Sequence, residues 1–409
     1  MSRGTAPMLL DVLEEHLEEL DFLWEQREGL LRAADWTLPE LAAHEGRAEA
    51  HLDGLRIGGD AAAAIARPLL HGEERSAATA ATLVLMSLGL AAEVLDAAMA
   101  AAPEIRDGIR IGLRHADVRG IAARLSEMAS SGEPGLRALA ADVLAFHRLP
   151  APKGLAELRF AEDPEIRAVV YGAIGRFGGP WSVDLLTGAL RQESTALRRA
   201  ALEASARLGL PNLGPVCARA ATGETPVPEA VAFCGVVGGP EAEAALEAAL
   251  RQPATAGAAL RGLGALGRAG RVPLLLEAMS DPALAPAAGA AFLRIVGPGE
   301  ILADAPPAPD PGMSEDEADL RDETPPPDPE KARRLWESRS GRFAPDRRWQ
   351  GGQDVTEAFG RPVFDALSLE ARCDLYFRAR SMAGARAADL EIEARAARQV
   401  LTSPGATGP

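Results

Sequence analysis

Along residues 163–178, DPEIRAVVYGAIGRFG, the apolar positions Ile166, Val169, Val170, Ala173 and Ile174 fall at the spacing of one face of an α-helix. A turn residue or acid, often followed by proline, opens the stretch, and proline is tolerated there because the first helical N–H has no partner in any case. Comparable stretches close on Gly89, Gly178, Gly209, Gly238, Gly267 and Gly297, the residue best suited to a left-handed helix cap. After each glycine the pattern predicts a second, shorter helix, as in PWSVDLLTGALRQ (180–192), PEAEAALEAALRQ (240–252) and GRVPLLLEAMS (270–280). The predicted unit is therefore a helical hairpin.

Eight copies of the opening helix can be aligned, starting at residues 74, 102, 133, 163, 194, 223, 252 and 281. A single hairpin cannot bury its apolar stripe, so neighbouring copies must stack. This predicts an all-α fold, an α-solenoid of stacked helical hairpins with a small C-terminal helical module. The D-P-E-I-R…G pattern with a second helix resembles HEAT repeats of the short type first noted in phycobilisome-lyase proteins. The resemblance implies that Arg106, Arg137, Arg167 and Arg198 form a ladder with acids between adjacent repeats. The last three copies have Val227, Ala256 and Ala285 instead.

The flanks depart from this period. Residues 1–60 read as an N-terminal helical cap. A first helix runs from about Met8 to Ala33 with Leu9, Val12, Leu13, Leu17, Leu20 and Trp24 on one stripe, and a second opens at Thr37 with Glu40 completing a capping box. Residues 61–302 hold the repeats, about eight units. Residues 303–330 carry eight prolines, ten acids and one arginine, a composition that predicts an extended acidic linker. Residues 331–409 gather seven aromatic residues (Trp336, Phe343, Trp349, Phe359, Phe364, Tyr376 and Phe377) and read as a small basic and aromatic helical module. Helices are expected there from Ser368 to about Met382 and from about Ala387 to Leu401. Two segments, FLWEQREGLLRAADWTLPELAAHEGRAEAHLDGLRI (22–57) and GRFAPDRRWQGGQDVT (341–356), resemble a bacterial family of uncharacterised HEAT-repeat proteins often encoded beside type VI secretion genes and their effectors. That resemblance implies an architecture and a genomic setting, and it brings no catalytic residues with it.

Composition narrows the function. Aromatic residues make up only 4% of the chain, so the core must be built from small aliphatic side chains, which suits close-packed helices. With 43 basic and 59 acidic residues the net charge is −16, which disfavours nucleic acid and anionic membranes. The acids of MSRGTAPMLLDVLEEHLEELD arrive too early for a signal peptide, no apolar run suggests a membrane span, and the three cysteines form no C-x-x-C; a cytoplasmic setting is expected.

Few residues of the chain fall in a pattern that carries chemistry. His44-Glu45 is a single H-E pair where HEAT-type di-iron hydroxylases need several, and it reads as a solvated helix face. His115 and His147 read as packing residues, and Cys217 and Cys234 as small core residues. No P-loop, G-x-S-x-G or H-E-x-x-H motif occurs, so no catalytic, metal or cofactor residue is assigned. The expected function is that of a non-enzymatic protein-binding scaffold or adaptor. Given the family setting, its expected partner is a type VI secretion effector or spike component. The alternative is a HEAT-type enzyme, chromophore lyase-like or DNA glycosylase-like. On a concave face lined by second helices, periodicity places Asp184, Arg191, Arg219, Glu243, Glu247 and Glu277 as partner-binding candidates. The basic-aromatic run RRLWESRSGRFAPDRRW (333–349) adds Arg334, Trp336, Arg347, Arg348 and Trp349, to meet an acidic partner, bases, or the chain's own acidic surface.

Overall fold

The computed structural model describes residues 10–304, 324–356, 361–383 and 391–399. Most of the acidic proline-rich stretch expected at 303–330 lies outside the described residues, as do Leu9, Phe359 and the start of the helix expected at Ala387. The fold is an all-α solenoid of helical hairpins, with one two-residue β-hairpin among the described residues. The chain divides into two compact units, one of residues 1–210 with 379–409 and one of residues 211–378. The division falls inside the repeats, and residues 331–378 belong to the second unit.

In the first unit, α1 (Leu10–Leu30) and α2 (Leu38–Gly58) form the N-terminal pair, followed by α3 (Asp60–Ala66). Leu13, Leu17, Leu20, Leu23 and Trp24 are buried along α1, while Val12 faces outward. The N-terminus of α2 is tied as its sequence predicts, the Thr37 N–H donating to Glu40 Oε2 at 2.7 Å. The repeats follow as α4 (Arg75–Ser87), α5 (Ala91–Ala100), α6 (Pro103–His115), α7 (Ala122–Ser130), α8 (Pro134–Phe146), α9 (Leu155–Leu158), α10 (Pro164–Phe177), α11 (Val183–Leu190) and α12 (Thr195–Arg207). First helices stack on first helices, α4 on α6, α6 on α8, α8 on α10 and α10 on α12.

The second unit continues with α13 (Leu213–Thr222), α14 (Pro228–Val237), α15 (Ala242–Leu250), α16 (Ala256–Leu266), α17 (Val272–Ala278) and α18 (Ala285–Val296). Then come α19 (Pro329–Arg339), the strands β1 (Trp349–Gln350) and β2 (Gln353–Asp354), α20 (Arg361–Ala366) and α21 (Leu369–Ala383), whose residues from Ala379 onward belong to the first unit. Helix α19 packs on α17 and α18.

Each of the eight aligned copies is a first helix, from α4 to α18, and the six closing glycines all take a positive φ. Openings are capped by side chains: Asp163 accepts from the Glu165 N–H at 2.8 Å and Ser194 from the Leu197 N–H at 3.1 Å. Small residues let the helices approach. A Cβ on Gly235 of α14 would lie 1.8 Å from the Gly262 carbonyl oxygen of α16, so a side chain there would push the two helices apart. Of the expected arginine ladder, Arg106 meets an acid of the next repeat. Arg106 pairs with Glu133 at 2.5 Å and donates to the Ala98 and Ala101 carbonyls, and Arg137 donates to the Ala129 and Gly154 carbonyls. Arg167 meets the Gln192 side chain at 3.4 Å and Arg198 donates to the Gln192 carbonyl at 2.7 Å, contacts that are not with acids of an adjacent repeat.

Candidate functional site

The last turns of the first helices bring one repeat position into a row. It is the fourteenth residue of each copy: His115 on α6, Phe146 on α8, Arg176 on α10 and Arg207 on α12. Arg114 stands beside His115. At the centre lies Asp142, fully buried on α8. Its Oδ2 accepts from Arg114 Nε at 2.6 Å and Arg110 Nη1 at 2.8 Å, and its Oδ1 from Arg114 Nη2 at 2.7 Å and Arg176 Nη1 at 3.3 Å. Burial alone would raise this carboxyl, but the three guanidinium groups outweigh it and hold it well below the carboxylate range. Asp107 is held at about 2 in the same way, burial being overcome by Arg110 and Arg75. The Phe146 ring supports the cluster from below, with Arg114 at 5.3 Å and Arg176 at 5.7 Å from its centroid.

Residues 391–399, EIEARAARQ, lie on this row. Glu393 Oε2 accepts from Arg114 Nη1 at 2.8 Å and Arg176 Nη2 at 2.9 Å. Glu391 Oε2 accepts from Arg176 Nε at 2.7 Å and Arg207 Nη1 at 3.4 Å. Burial opposes both negative charges, yet the arginines keep both carboxyls below their ordinary value. The main chain is held as well. Arg27, buried on α1, donates Nη2 to the Glu393 carbonyl at 3.0 Å and the Ala394 carbonyl at 3.1 Å. Its Nε pairs with Glu45 at 2.6 Å, and Glu45 Oε2 accepts the Ala396 N–H at 2.7 Å. Arg395 stacks over Trp24 and pairs with Glu49.

Two sequence expectations give way here. His44-Glu45 is not a solvated face: the His44 ring meets the Leu23 carbonyl at 2.8 Å, and Glu45 is the buried partner of Arg27. The helix expected at 387–401 is, over 391–399, a turn in which the Ala394 N–H donates to the Glu391 carbonyl at 3.1 Å, followed by one short 3-10 segment at Ala396–Arg398. Its backbone groups are drawn to Arg27, Glu45 and the Gln399 side chain, leaving them unavailable to a helix.

The residues singled out from periodicity lie elsewhere. Asp184 and Arg191 are exposed on the α11 hairpin, and Arg219 and Glu277 are exposed in the second unit. Glu243 and Glu247 both pair with Arg271, each at 2.5 Å. Of the basic-aromatic run, Arg348 is buried and donates to the Gly235 carbonyl at 2.9 Å and the Ala265 carbonyl at 3.1 Å. Trp336, Phe343 and Trp349 pack on one another, Arg347 pairs with Asp354 at 2.6 Å, and Arg334 is exposed. Most of this run is therefore spent on its own unit.

Sequence reasoning missed Arg114, Arg176, Arg207, Glu391 and Glu393. A basic residue in the last turn of a helix is ordinarily read as a partner of the helix dipole. The signal available was the recurrence of arginine at one repeat position.

The first unit also has a cleft of about 600 Å³ lined by Glu18, Asp21, Glu25, Glu28 and Glu74 with Phe22, Trp24 and Arg75. Its carboxylates would repel an anionic ligand. Burial raises the Asp21 carboxyl, against a hydrogen bond from Ser76. Among the described residues no three His, Cys, Asp or Glu side chains converge as metal ligands, and no helix is long and apolar enough to cross a membrane. Cys217 and Cys234 are fully buried, and burial pushes the Cys234 thiol up to about 12.

Residues 121–207 match the family model of HEAT repeats. That stretch runs from α7 to α12 and includes Asp142, Arg176 and Arg207. No curated protein matches the chain.

Proposed function

We propose that the chain is a non-enzymatic protein-binding scaffold whose contact surface includes the arginine row of the first unit. HEAT repeats commonly serve as protein-interaction scaffolds, and the match to them covers three of that row's four helices. The observation that carries the reading is the seating of residues 391–399. Side-chain carboxylates, main-chain carbonyls and a main-chain N–H are each received by a placed group, which is how a protein surface recognises a peptide segment. The finer reading, an adaptor that handles a type VI secretion effector or spike component, rests on the resemblance of residues 22–57 and 341–356.

The test is affinity isolation of the full chain from its native cells with chemical cross-linking. The expected result is one protein in near-stoichiometric amount, lost when Arg176→Gln is introduced. Recovery of the chain by itself sinks the scaffold reading. A stoichiometric partner unrelated to secretion leaves the scaffold and removes the adaptor role. Truncation at residue 302 is the poorer probe, because it strips Arg348 and Trp349 from the second unit.

A further inference from the structure

We infer that the arginine row of the first unit is a receptor site for a turn-forming acidic peptide of Glu-x-Glu spacing, which residues 391–399 occupy in cis. A partner binds by presenting the same chemistry and displacing this internal segment. The inference rests on the scaffold reading and names the ligand class of its site.

The geometry specifies the ligand position by position. Arg176 is the pivot: its Nε takes the first glutamate and its Nη2 the second, so the two carboxylates must be two residues apart and turned to the same side, as the turn closed by the Ala394 N–H on the Glu391 carbonyl holds them. Arg114 adds a second donor to the latter. Ile392, between them, has no polar requirement. Ala394 and Ala396 are buried, so those positions demand small residues. Arg395 lies over Trp24 with Glu49 at its tip, which favours a cation there. Ala397 and Arg398 are exposed and unconstrained. Arg27 and Glu45 read only main-chain groups and would serve any peptide of this form. The ligand is thus an acidic segment of the pattern Glu-x-Glu-small-cation-small.

Charge explains why the seat does not stay empty. Without the glutamates, Arg114 and Arg176, both largely buried, share Asp142 within this cluster. Buried guanidinium groups need paired acceptors, so the site favours a dianionic segment, its own or another's.

The test uses the full chain and a fluorescently labelled peptide of residues 391–399, read by anisotropy. The double substitution Glu391→Gln and Glu393→Gln weakens the internal occupant. It is expected to take up the peptide saturably, at least about tenfold tighter than the unmodified chain, because the competent fraction rises. Ala396→Trp, which crowds the segment out while leaving every arginine in place, is expected to open the site equally. A peptide with glutamine at both glutamate positions should not bind, a control that no folding defect can mimic. Arg176→Gln in the opened chain should cost at least about tenfold in affinity. Equal peptide binding by opened and unmodified chains overturns the inference, as does equal binding of the glutamine peptide. Light scattering supplies a third arm. A dimer that dissociates on the double substitution would place the segment in a second copy and overturn occupancy in cis. Peptide binding without any recovered cellular partner would keep this site and sink the scaffold reading, and the converse would do the reverse.

Discussion

In both units a later part of the chain covers the last turns of the first helices, but it is held there by a different balance of contacts. In the first unit the helices supply the cations, and the covering segment supplies Glu391 and Glu393. In the second unit the covering part supplies both signs: Glu370 and Asp374 meet Arg294 of α18, and Arg348 enters as a cation. Arg348 is buried against the Gly235 and Ala265 carbonyls, where helix C-termini concentrate negative potential. The Trp349 and Gly351 N–H groups add main-chain bonds to the Gly267 and Arg294 carbonyls, at 2.8 and 2.7 Å. Arg294, again the fourteenth residue of its copy, is tied to Gln350 at 2.8 Å and Asp374 at 2.7 Å. Phe377 packs beside Phe233, their rings 6.0 Å apart. The second cover is knitted into helix backbone and apolar core. The first is held mainly by side-chain charge, which water and a competing carboxylate can replace. One repeat position thus serves as an integral joint in one unit and as a seat in the other.

Four measurements break or sharpen this contrast. The largest effect is expected from Leu275→Asp, which buries an unpaired charge at a fully buried position of α17. It should lower the stability of the second unit by about 4 kcal/mol and leave binding at the arginine row unchanged. Melting of the variant at the parental temperature would show that the inward stripe of α17 is misplaced.

Arg348→Ala comes next. It removes the Arg348 donor from the Gly235 carbonyl and one of two side-chain donors from the Ala265 carbonyl, and should cost the second unit about 2 kcal/mol in denaturant unfolding. An unchanged midpoint would reduce the second cover to a surface contact like the first.

Acidification is expected to separate the units, because all six histidines lie in residues 1–210. Burial, reinforced by Arg27, Arg395 and Arg114, holds His115 well below its ordinary value, and burial also lowers His147. A lowered folded value means that the unfolded chain binds more protons. The stabilisation is complete above about pH 6.5 and is lost as the pH falls toward the folded value. Between pH 7 and 5 the first unit should lose stability by about 1 kcal/mol or more while the second changes little. A parallel decline of both units would contradict the assignment, and His115→Gln should flatten the slope of the first.

The smallest effect on stability belongs to Glu391→Gln with Glu393→Gln. Release of the segment admits water to the arginines, so unfolding of the first unit should shift by less than about 1 kcal/mol. In the unmodified chain, docking of 391–399 should be complete above the ordinary glutamate value, near pH 4.3, and fade below it, since both carboxyls are lowered when docked. Proteolysis between 391 and 399 across that range reads it directly. Constant protection down to the lowest pH would mean that the charges do not hold the segment.

The architecture was legible for a local reason. Helix openings at Asp163 and Ser194, stripes such as Val170 and Ile174, and stops such as Gly178 and Gly267 are set by neighbours within one turn. The fate of Arg348 was partly legible, since a basic-aromatic run invites self-docking. The arginine row was not. Arg114 and Arg176 look like ordinary last-turn cations, and Glu393 looks like one solvated acid among many, until a chain separation of more than two hundred residues is closed between Arg176 and Glu393.

The sequence by itself determined the repeats, their period, their caps and a core of small residues, because these follow from periodicity and backbone preference within about thirty residues. Tertiary structure alone decided which faces became covered and by what. It turned His44-Glu45 inward, made Arg27 a reader of backbone carbonyls and set Glu391 and Glu393 on Arg176. Long-range electrostatic pairing depends on which stacked helix ends meet a distant segment, and no local pattern encodes that meeting.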